Sequence, residues 1–336
     1  MMGKGLPHFA LALSAALILA GCGGGNDSSS GSGSNGGGAT SASPVAQAQS
    51  QTAIDALAYF NQVRTSLGLQ AVTRNAKLDS AAQAHSDYQA YSDVISHYET
   101  EGKQYFTGIC LTDDPTDSHC SSTQTSRLEQ AGYALPADNY AVGEVISETT
   151  STSGANAASA LLTAIYHRFV VLEPMFKEAG VGAATSATGE TYFTADFGAV
   201  GLDSGLSFGD VVSYPSAGQT NVSASFSSDS EIPDPVPSKN MVGFPISVQA
   251  DIIYTLNVTS FTVAPHGGSP LAVQNIWSGQ PDSHASASEA AIIPLDPLQP
   301  ATTYDVQFSG TMVLYGQNDT VINSTPVTRS WSFTTK

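Results

Sequence analysis

The N-terminal segment MMGKGLPHFALALSAALILAGC determines the compartment in which this chain folds. A single lysine, Lys4, precedes an apolar run from Phe9 to Ala20 that ends in small residues. This order is typical of a secretory signal peptide, and the run is too short to span a membrane as a mature helix. We therefore expect residues 1–21 to be removed during export.

The signal peptide ends in Leu19-Ala20-Gly21-Cys22, which resembles the bacterial lipobox. The resemblance implies that Cys22 carries lipid, and several acyl chains such as palmitate, at about 0.8 kcal/mol per buried methylene, would anchor it firmly. The alternative is an ordinary secretory signal with an incidental cysteine. Glycine follows Cys22, unlike the inner-membrane retention signal, so we expect an exported, membrane-anchored lipoprotein of the outer membrane, facing the periplasm or the exterior.

Residues 22–51 contain almost no bulky apolar side chains and are rich in Gly and Ser. Such a segment cannot bury enough surface to offset the entropy of ordering it, so we predict a flexible tether. A tether of this length would hold the folded part on the order of 30 Å from the anchor. The remaining chain is long enough for two ordinary domains.

The formal net charge is −18, and no stretch concentrates Lys or Arg into a basic stripe. A nucleic-acid partner is therefore not expected, and the membrane contact is expected through lipid on Cys22. Beyond Cys22 the chain has only Cys110 and Cys120, which flank a polar loop. In an oxidising compartment this pair predicts a disulfide bond, with a metal site that includes His119 as the alternative.

The sequence between residues 52 and 202 predicts both helices and strands. Apolar spacing predicts a helix from Thr52 to Gly68, a second from Asn75 to about Tyr91, and a third over Ala157–Phe169 that ends before Pro174. Two strands are predicted around the turn at Thr188-Gly189. Because helices and strands are mixed here without regularly repeated βαβ units, we predict an α+β domain over residues 52–202.

After residue 202 the chain changes character. Residues 203–240 are rich in Pro and Ser, which indicates an extended connection, and short alternating runs over 241–336 predict a small all-β sandwich. Pro297-Leu298-Gln299-Pro300-Ala301-Thr302-Thr303-Tyr304, together with the closing Trp331-Ser332-Phe333-Thr334-Thr335, resembles bacterial Ig-like domains of surface proteins. The resemblance implies a spacer or adhesion module.

Residues Thr52 to Gly201 carry a second resemblance, through short motifs in a fixed order. These are Phe60-Asn61-Gln62-Val63-Arg64 with Gly68-Leu69, Leu78 with Ala81-Ala82 and His85, Ser96-His97, Gly132-Tyr133, Val142-Gly143-Glu144, Tyr166-His167-Arg168 and Ala179-Gly180-Val181-Gly182. Together they resemble the CAP superfamily (SCP-like, the cysteine-rich secretory, antigen 5 and pathogenesis-related proteins). The resemblance implies an α-β-α sandwich with helices on both faces of a small sheet.

Family members place two histidines and two glutamates around an open cavity that can hold a divalent metal. Matched motif by motif, the resemblance implies His97, Glu144 and His167 as three of these residues. The fourth acid has no match, because residues 154–166 contain no carboxylate. The acids that remain as substitutes are Glu99, Glu148 and Glu173, and the residues predicted beside the cavity are His85, Glu99 and Arg168.

Two imidazoles and a carboxylate are a common ligand set for a divalent ion such as zinc, with magnesium as the alternative. The main hypothesis is therefore an envelope-anchored protein whose cavity binds a divalent metal, a small envelope ligand (a lipid, a sterol or a cell-wall component), or both. One alternative is a metal-assisted hydrolase of protease or nuclease type. The other is a surface adhesion or structural protein with a residual cavity.

Two of these residues also have a purely structural alternative. His85 would be a hydrogen-bonded residue of the core, and Glu144 would accept hydrogen bonds from buried backbone N–H groups. The sequence does not identify the ligand or the oligomeric state.

Overall fold

The computed structural model describes residues 44–110, 120–281 and 283–336, and describes side chains from residue 51 onward, except at 109, 110, 120 and 121. Cys22, the signal peptide, most of the tether and His119 lie outside the described residues. In the described part of the chain, no helix has the length and apolar character needed to cross a membrane.

The N-terminal region, residues 44–202, is a mixed α+β unit. Its elements are α1 (Pro44–Ser66), β1 (Thr73–Arg74), α2 (Ala76–Ser92), β2 (Ile109–Cys110), β3 (Cys120–Ser121), α3 (Gln124–Gln130), β4 (Tyr140–Thr149), α4 (Gly154–Thr163), α5 (Ile165–Val171), β5 (Glu178–Thr185) and β6 (Thr191–Val200). Four strands form a sheet in the order β1-β5-β6-β4, parallel between β1 and β5 and otherwise antiparallel. Helices α1 and α4 cover one face of this sheet and α2 the other.

The first two predicted helices are present. α1 begins at Pro44, inside the segment predicted as tether, because Ala and Gln residues over 44–51 are good helix formers. α2 begins after Asn75, whose side chain accepts a hydrogen bond from the backbone N–H of Lys77, as an N-cap does. The two strands predicted around Thr188-Gly189 are β5 and β6.

The predicted single helix over Ala157–Phe169 is instead two helices, α4 and α5. The chain breaks at Ala164, whose backbone is extended with φ −68° and ψ 125°. The break is stabilised from outside the helix, since the side chain of Glu231 accepts hydrogen bonds from the first backbone N–H groups of α5. The local sequence carries no signal of a partner so distant along the chain.

Two glycines allow α2 to lie directly on the sheet. A Cβ atom on Gly180 would come within 2.0 Å of the backbone of Leu78, and one on Gly182 within 2.3 Å of the backbone of Gln83. Only glycine permits this approach, so the Ala179-Gly180-Val181-Gly182 motif reflects close packing of α2 on β5. The helix thereby places its C-terminal loop beside the end of the sheet where the candidate residues lie.

The C-terminal region, residues 203–336, is all-β apart from two short 3₁₀ turns. Its strands are β7 (Val212–Tyr214), β8 (Ser225–Ser227), β9 (Met241–Gly243), β10 (Ile246–Gln249), β11 (Thr255–Pro265), β12 (Val273–Trp277), β13 (Glu289–Pro294), β14 (Thr303–Tyr315) and β15 (Val321–Thr334). One sheet has the order β12-β13-β10-β7 and another the order β11-β14-β15. Both contribute to one apolar core. The segment predicted as a connection, residues 203–240, supplies β7 and β8.

The two regions share a buried interface formed by α5. Ile165, Tyr166 and Phe169 of α5 belong to the same apolar cluster as Ile276 and Ile293 of the C-terminal sheet. Arg168, on the same helix, is fully buried and donates hydrogen bonds to the carbonyl oxygens of Leu162 and Pro245 at 2.6 and 2.7 Å. Its guanidinium lies 4.9 Å from the ring centre of Tyr214 and 5.0 Å from that of Phe244. Arg168 therefore connects the two regions.

Candidate functional site

The candidate site lies at the β4 edge of the first sheet, on the α2 face. Glu144 of β4 is the register partner of Asp196 of β6, and alternation along the strands places both side chains on the face opposite Val145 and Ala195. Both carboxyl groups are buried, at 6 % and 0 % exposure. Two acids on neighbouring strands at this depth need partners, which come from the loop after α2 and from α3.

His97 and Arg127 share the carboxylate of Glu144. Nδ1 of His97, from the loop after α2, lies 2.7 Å from Oε1 of Glu144, and Arg127 of α3 donates to Oε2. The guanidinium also donates to the carbonyl oxygens of His97, at 2.8 Å, and of Ser122. Arg127 is 1 % exposed, so it fixes both the carboxylate and the loop that carries His97.

This arrangement determines the charge states at the site. Burial would raise the pKa of the Glu144 carboxyl, but the charges of Arg127 and His85 and the hydrogen bond from His97 hold that pKa below its usual range. Burial lowers the pKa of His97, although Glu144 opposes this effect. Burial and the negative charge of Glu144 raise the pKa of Asp196 well above its usual range. Near neutral pH we therefore expect an ionised Glu144 beside a neutral His97.

His167 has its own carboxylate, Glu231, which comes from the C-terminal region. Oε1 of Glu231 accepts from the backbone N–H of Tyr166 at 2.7 Å and lies 3.3 Å from Nδ1 of His167. Oε2 accepts from the backbone N–H of Ile165 at 2.7 Å. Glu231 is fully buried, and it caps the first turn of α5 while orienting the imidazole.

Both His97 and His167 have a second ring nitrogen, Nε2, that faces neither of these carboxylates. Nε2 of His97 and Nε2 of His167 are both buried, and neither has a hydrogen-bond partner among the described residues. Since an ionised carboxylate is only an acceptor, Nδ1 of His97 carries the proton and its Nε2 carries a lone pair. A buried nitrogen lone pair without a partner is a feature expected of a ligand-binding site.

The other predicted residues have different neighbours. His85 is engaged at both nitrogens, by Oε1 of Glu99 at 2.9 Å and by the carbonyl oxygen of Ser96 at 2.8 Å. Glu99 additionally accepts from the backbone N–H of Thr107 at 2.6 Å. His85 and Glu99 thus stabilise the loop that carries His97, and Arg168 is used at the interface described above.

Of the three acids considered as substitutes for the unmatched glutamate, none contacts His167 in the described hydrogen bonds. Glu99 binds His85, Glu148 lies in a surface groove, and Glu173 accepts from Gln249 and from the backbone of Met175 and Ile252. The acid beside His167 is Glu231. Sequence reasoning missed it because it lies 64 residues beyond His167, in a Pro/Ser-rich stretch without a local signal.

Arg127 and Asp196 were also missed. Arg127 lies in a short helix with no strong apolar period, and Asp196 is one of many strand residues. For Asp196 a signal did exist, because a charged residue between Ala195 and Phe197 in a strand of buried residues indicates a functional or paired carboxyl.

The family resemblance implies a divalent metal. The side-chain atoms available at the site show how well these residues suit such an ion. Each of the two unpartnered Nε2 atoms is of a type that such an ion binds, because imidazole nitrogen is a preferred ligand of zinc. Glu144 is less available, as both of its oxygens are engaged by His97 and Arg127. Over residues 44–110, 120–281 and 283–336, no group of three or more His, Cys, Asp or Glu side chains is arranged to hold a metal.

Residues 57–197 match the model of CAP, the cysteine-rich secretory protein family. An extracellular protein of Bacillus anthracis that contains an SCP domain is 18% identical, over 48% of this chain and 44% of that chain, with a TM-score of 0.35. An outer surface protein of Borrelia burgdorferi is 12% identical, over 42% of this chain and 87% of that chain, with a TM-score of 0.32. No curated protein matches the chain. The match to the CAP model confirms the predicted resemblance for this part of the chain.

Proposed function

We propose that this chain is an envelope lipoprotein whose CAP-like region binds a divalent metal ion through Nε2 of His97 and Nε2 of His167. The observation that carries the proposal is the same for both histidines. In each, Nδ1 faces a buried carboxylate, Glu144 or Glu231, while Nε2 is buried without a partner among the described residues. In metal proteins such a carboxylate fixes the tautomer and the orientation of the ligating imidazole.

Zinc suits these donors better than magnesium. Magnesium prefers oxygen ligands and retains several waters, whereas imidazole is a preferred ligand of zinc. With two protein ligands, the remaining coordination positions belong to water or to a bound molecule. A bound metal would supply Lewis acidity to an oxygen atom of that molecule. A small envelope ligand is thus part of the same proposal.

Binding is favoured over hydrolysis by the state of Glu144. A general base needs a carboxylate that can reach a water proton, and its pKa should lie near the working pH. Both oxygens of Glu144 are engaged, and Arg127 contributes to holding its pKa below the usual range. We therefore rank metal-assisted hydrolysis below binding.

The location and the remaining modules belong to the same proposal. Lipid on Cys22 would restrict the protein to the membrane surface, and the C-terminal region would act as an Ig-like spacer. The proposal includes a Cys110–Cys120 disulfide bond, because the two residues are direct register partners between β2 and β3. Opposed residues of an antiparallel pair have Cα atoms about 4.5–5.5 Å apart, within the range that a disulfide requires.

Titration with zinc tests the metal proposal. We expect isothermal titration calorimetry on the mature chain, freed of metal by a chelator, to give one site for Zn²⁺ and at least tenfold weaker binding of Mg²⁺. His97→Ala and His167→Ala should each abolish the zinc site, because each removes one of the two proposed ligands. His266→Ala is the matched control, since its side chain is 77 % exposed and contacts Asp305 far from the site. Zinc binding that survives in both cavity variants, with circular dichroism showing folded protein, would contradict the proposal.

Fractionation of cells that express the full chain tests the anchor. We expect wild-type protein in the membrane pellet and Cys22→Ser in the soluble exported fraction, because serine cannot accept the thioether-linked lipid. Cys110→Ser changes a different cysteine and should leave the protein in the pellet. Wild-type protein found in the soluble exported fraction would contradict an anchor on this residue.

A further inference from the structure

A groove of about 830 Å³ lies where the two regions meet. Its walls are the C-terminal end of β4, the junction of α4 and α5, and the segment from β8 into the following 3₁₀ turn. His167 lies in its lining, whereas His97 does not. Its volume falls in the range of ordinary small-molecule sites.

The lining has an unusual chemistry for a ligand site. Half of the lining residues carry hydroxyl groups, among them Ser147, Thr163 and Ser225. Three carboxylates are present, Glu148, Glu190 and Asp229, and none of the described lining residues is Lys or Arg. Phe226 and Leu161 supply a small apolar surface. A ligand that fits this surface needs hydrogen-bonding groups along its length and a positive charge.

Burial and neighbouring negative charges both act on one of these acids, Glu148. Burial raises the pKa of Glu148, and the charges of Glu190 and Asp93 add to this rise, although a hydrogen bond from Tyr192 opposes it. Glu148 and Glu190 thus repel each other, and none of the described lining residues is a Lys or Arg that would compensate them. A bound ammonium group would remove this repulsion.

A buried hydroxyl in the lining provides independent support for a site. Ser147 is 6 % exposed, and its Oγ has no hydrogen-bond partner within the described residues. It lies two residues beyond Val145 on β4, so its side chain is on the α4 side of the sheet, as is the groove. The unpartnered Nε2 of His167, which is 2 % exposed, belongs to a residue of the same lining. A buried polar atom without a partner is costly, and a ligand that supplies one removes the cost.

We propose that this groove binds an amino sugar, a hydroxylated ligand that carries a free amine. The carboxylates at the groove would attract the ammonium group, the lining hydroxyls would pair with the sugar hydroxyls, and Phe226 and Leu161 would contact the apolar face of the ring. A linear polyamine offers no hydroxyl groups, and an acetylated sugar offers no charge. This proposal rests on the binding function proposed above, for which it names a class of ligand. It does not require a bound metal.

Calorimetry with the fully deacetylated glucosamine trimer tests the groove, using the mature chain in a chelator so that the metal proposal does not affect the result. We expect one site for this trimer, and at least tenfold weaker binding of the N-acetylated trimer and of spermidine. The double variant Glu190→Gln, Asp229→Asn should weaken binding of the deacetylated trimer at least tenfold, as it removes two of the three charges. Asp319→Asn, an exposed acid outside the groove, should leave the affinity unchanged.

A second variant, Ser147→Val, keeps the charges and removes the buried hydroxyl, and we expect it to weaken the trimer severalfold without loss of folding. The proposal is overturned if the deacetylated trimer shows no binding at millimolar concentration, or if the acetylated trimer or spermidine binds as tightly. It is likewise overturned if the charge variant binds like wild type. A zinc titration of the same protein tests the metal proposal separately. Failure of one proposal can therefore be distinguished from failure of the other.

Discussion

Replacing Arg127 by alanine should lower the free energy of unfolding by about 3–5 kcal/mol. The guanidinium is 1 % exposed and donates to the carboxylate of Glu144 and to the carbonyl oxygens of His97 and Ser122. Its removal leaves an ionised carboxylate and two carbonyl groups buried without their donor. Urea denaturation followed by circular dichroism measures the loss directly.

Arg329→Ala is the matched control for this prediction. Arg329 also forms an ion pair, at 3.4 Å from Asp210, but both side chains are partly exposed to solvent. Such surface pairs contribute about 0–1 kcal/mol, so this variant should unfold close to the wild-type urea concentration. Equal losses in the two variants would mean that the buried network around Glu144 contributes no more than a surface contact.

The sequence predicts part of the fold and part of the site. The glycines at 180 and 182 and the helical spacing after Asn75 are local signals, and the structure has α2 and β5 at these positions. The association of His97 with Glu144 came from the family resemblance alone, because 47 residues separate them. Local spacing does not report which distant segments meet.

Glu231 illustrates the limit most clearly. It breaks the predicted helix at Ala164, caps α5 and contacts His167, yet it lies in a segment predicted as a mere connection. A carboxylate in a Pro/Ser-rich stretch normally indicates a solvated loop. Its role depends on the packing of α5 against the C-terminal sheet, which is a tertiary property.

The interface between the two regions also contains a cluster of buried acids. Glu173 accepts hydrogen bonds from the backbone N–H of Met175 and Ile252 at 3.1 and 3.2 Å and from Gln249 at 3.1 Å. Burial, assisted by the charges of Asp251 and Glu289, raises its pKa to about 8. Burial likewise raises the pKa of Glu289 to about 7. Both acids are therefore expected to be protonated in the folded protein where they would be ionised in the unfolded chain.

These raised pKa values predict that stability falls as the pH rises. An unfolded glutamate has a pKa of about 4.3, so between that pH and about 8 the folded protein holds a proton on Glu173 that the unfolded chain has lost. The free energy of unfolding should then decrease with pH by up to about 1.4 kcal/mol per unit for each such acid. Glu173 acts over the whole window, and Glu289 acts up to about pH 7. His97 has the opposite effect, because its pKa is lowered in the folded protein. Its contribution to the free energy of unfolding rises with pH, but only up to about pH 6.5.

Glu173→Gln isolates the contribution of Glu173, because glutamine has a similar shape but cannot ionise. Relative to wild type, we expect the variant to be less stable or equal at pH 5, where the carboxyl is protonated, and more stable at pH 8. Urea midpoints at pH 5, 6, 7 and 8 measure this crossing, and Glu101→Gln, an exposed acid, should follow the wild-type curve throughout. Parallel curves for wild type and Glu173→Gln would show that Glu173 is already ionised in the folded protein, with its three hydrogen-bond donors outweighing its burial.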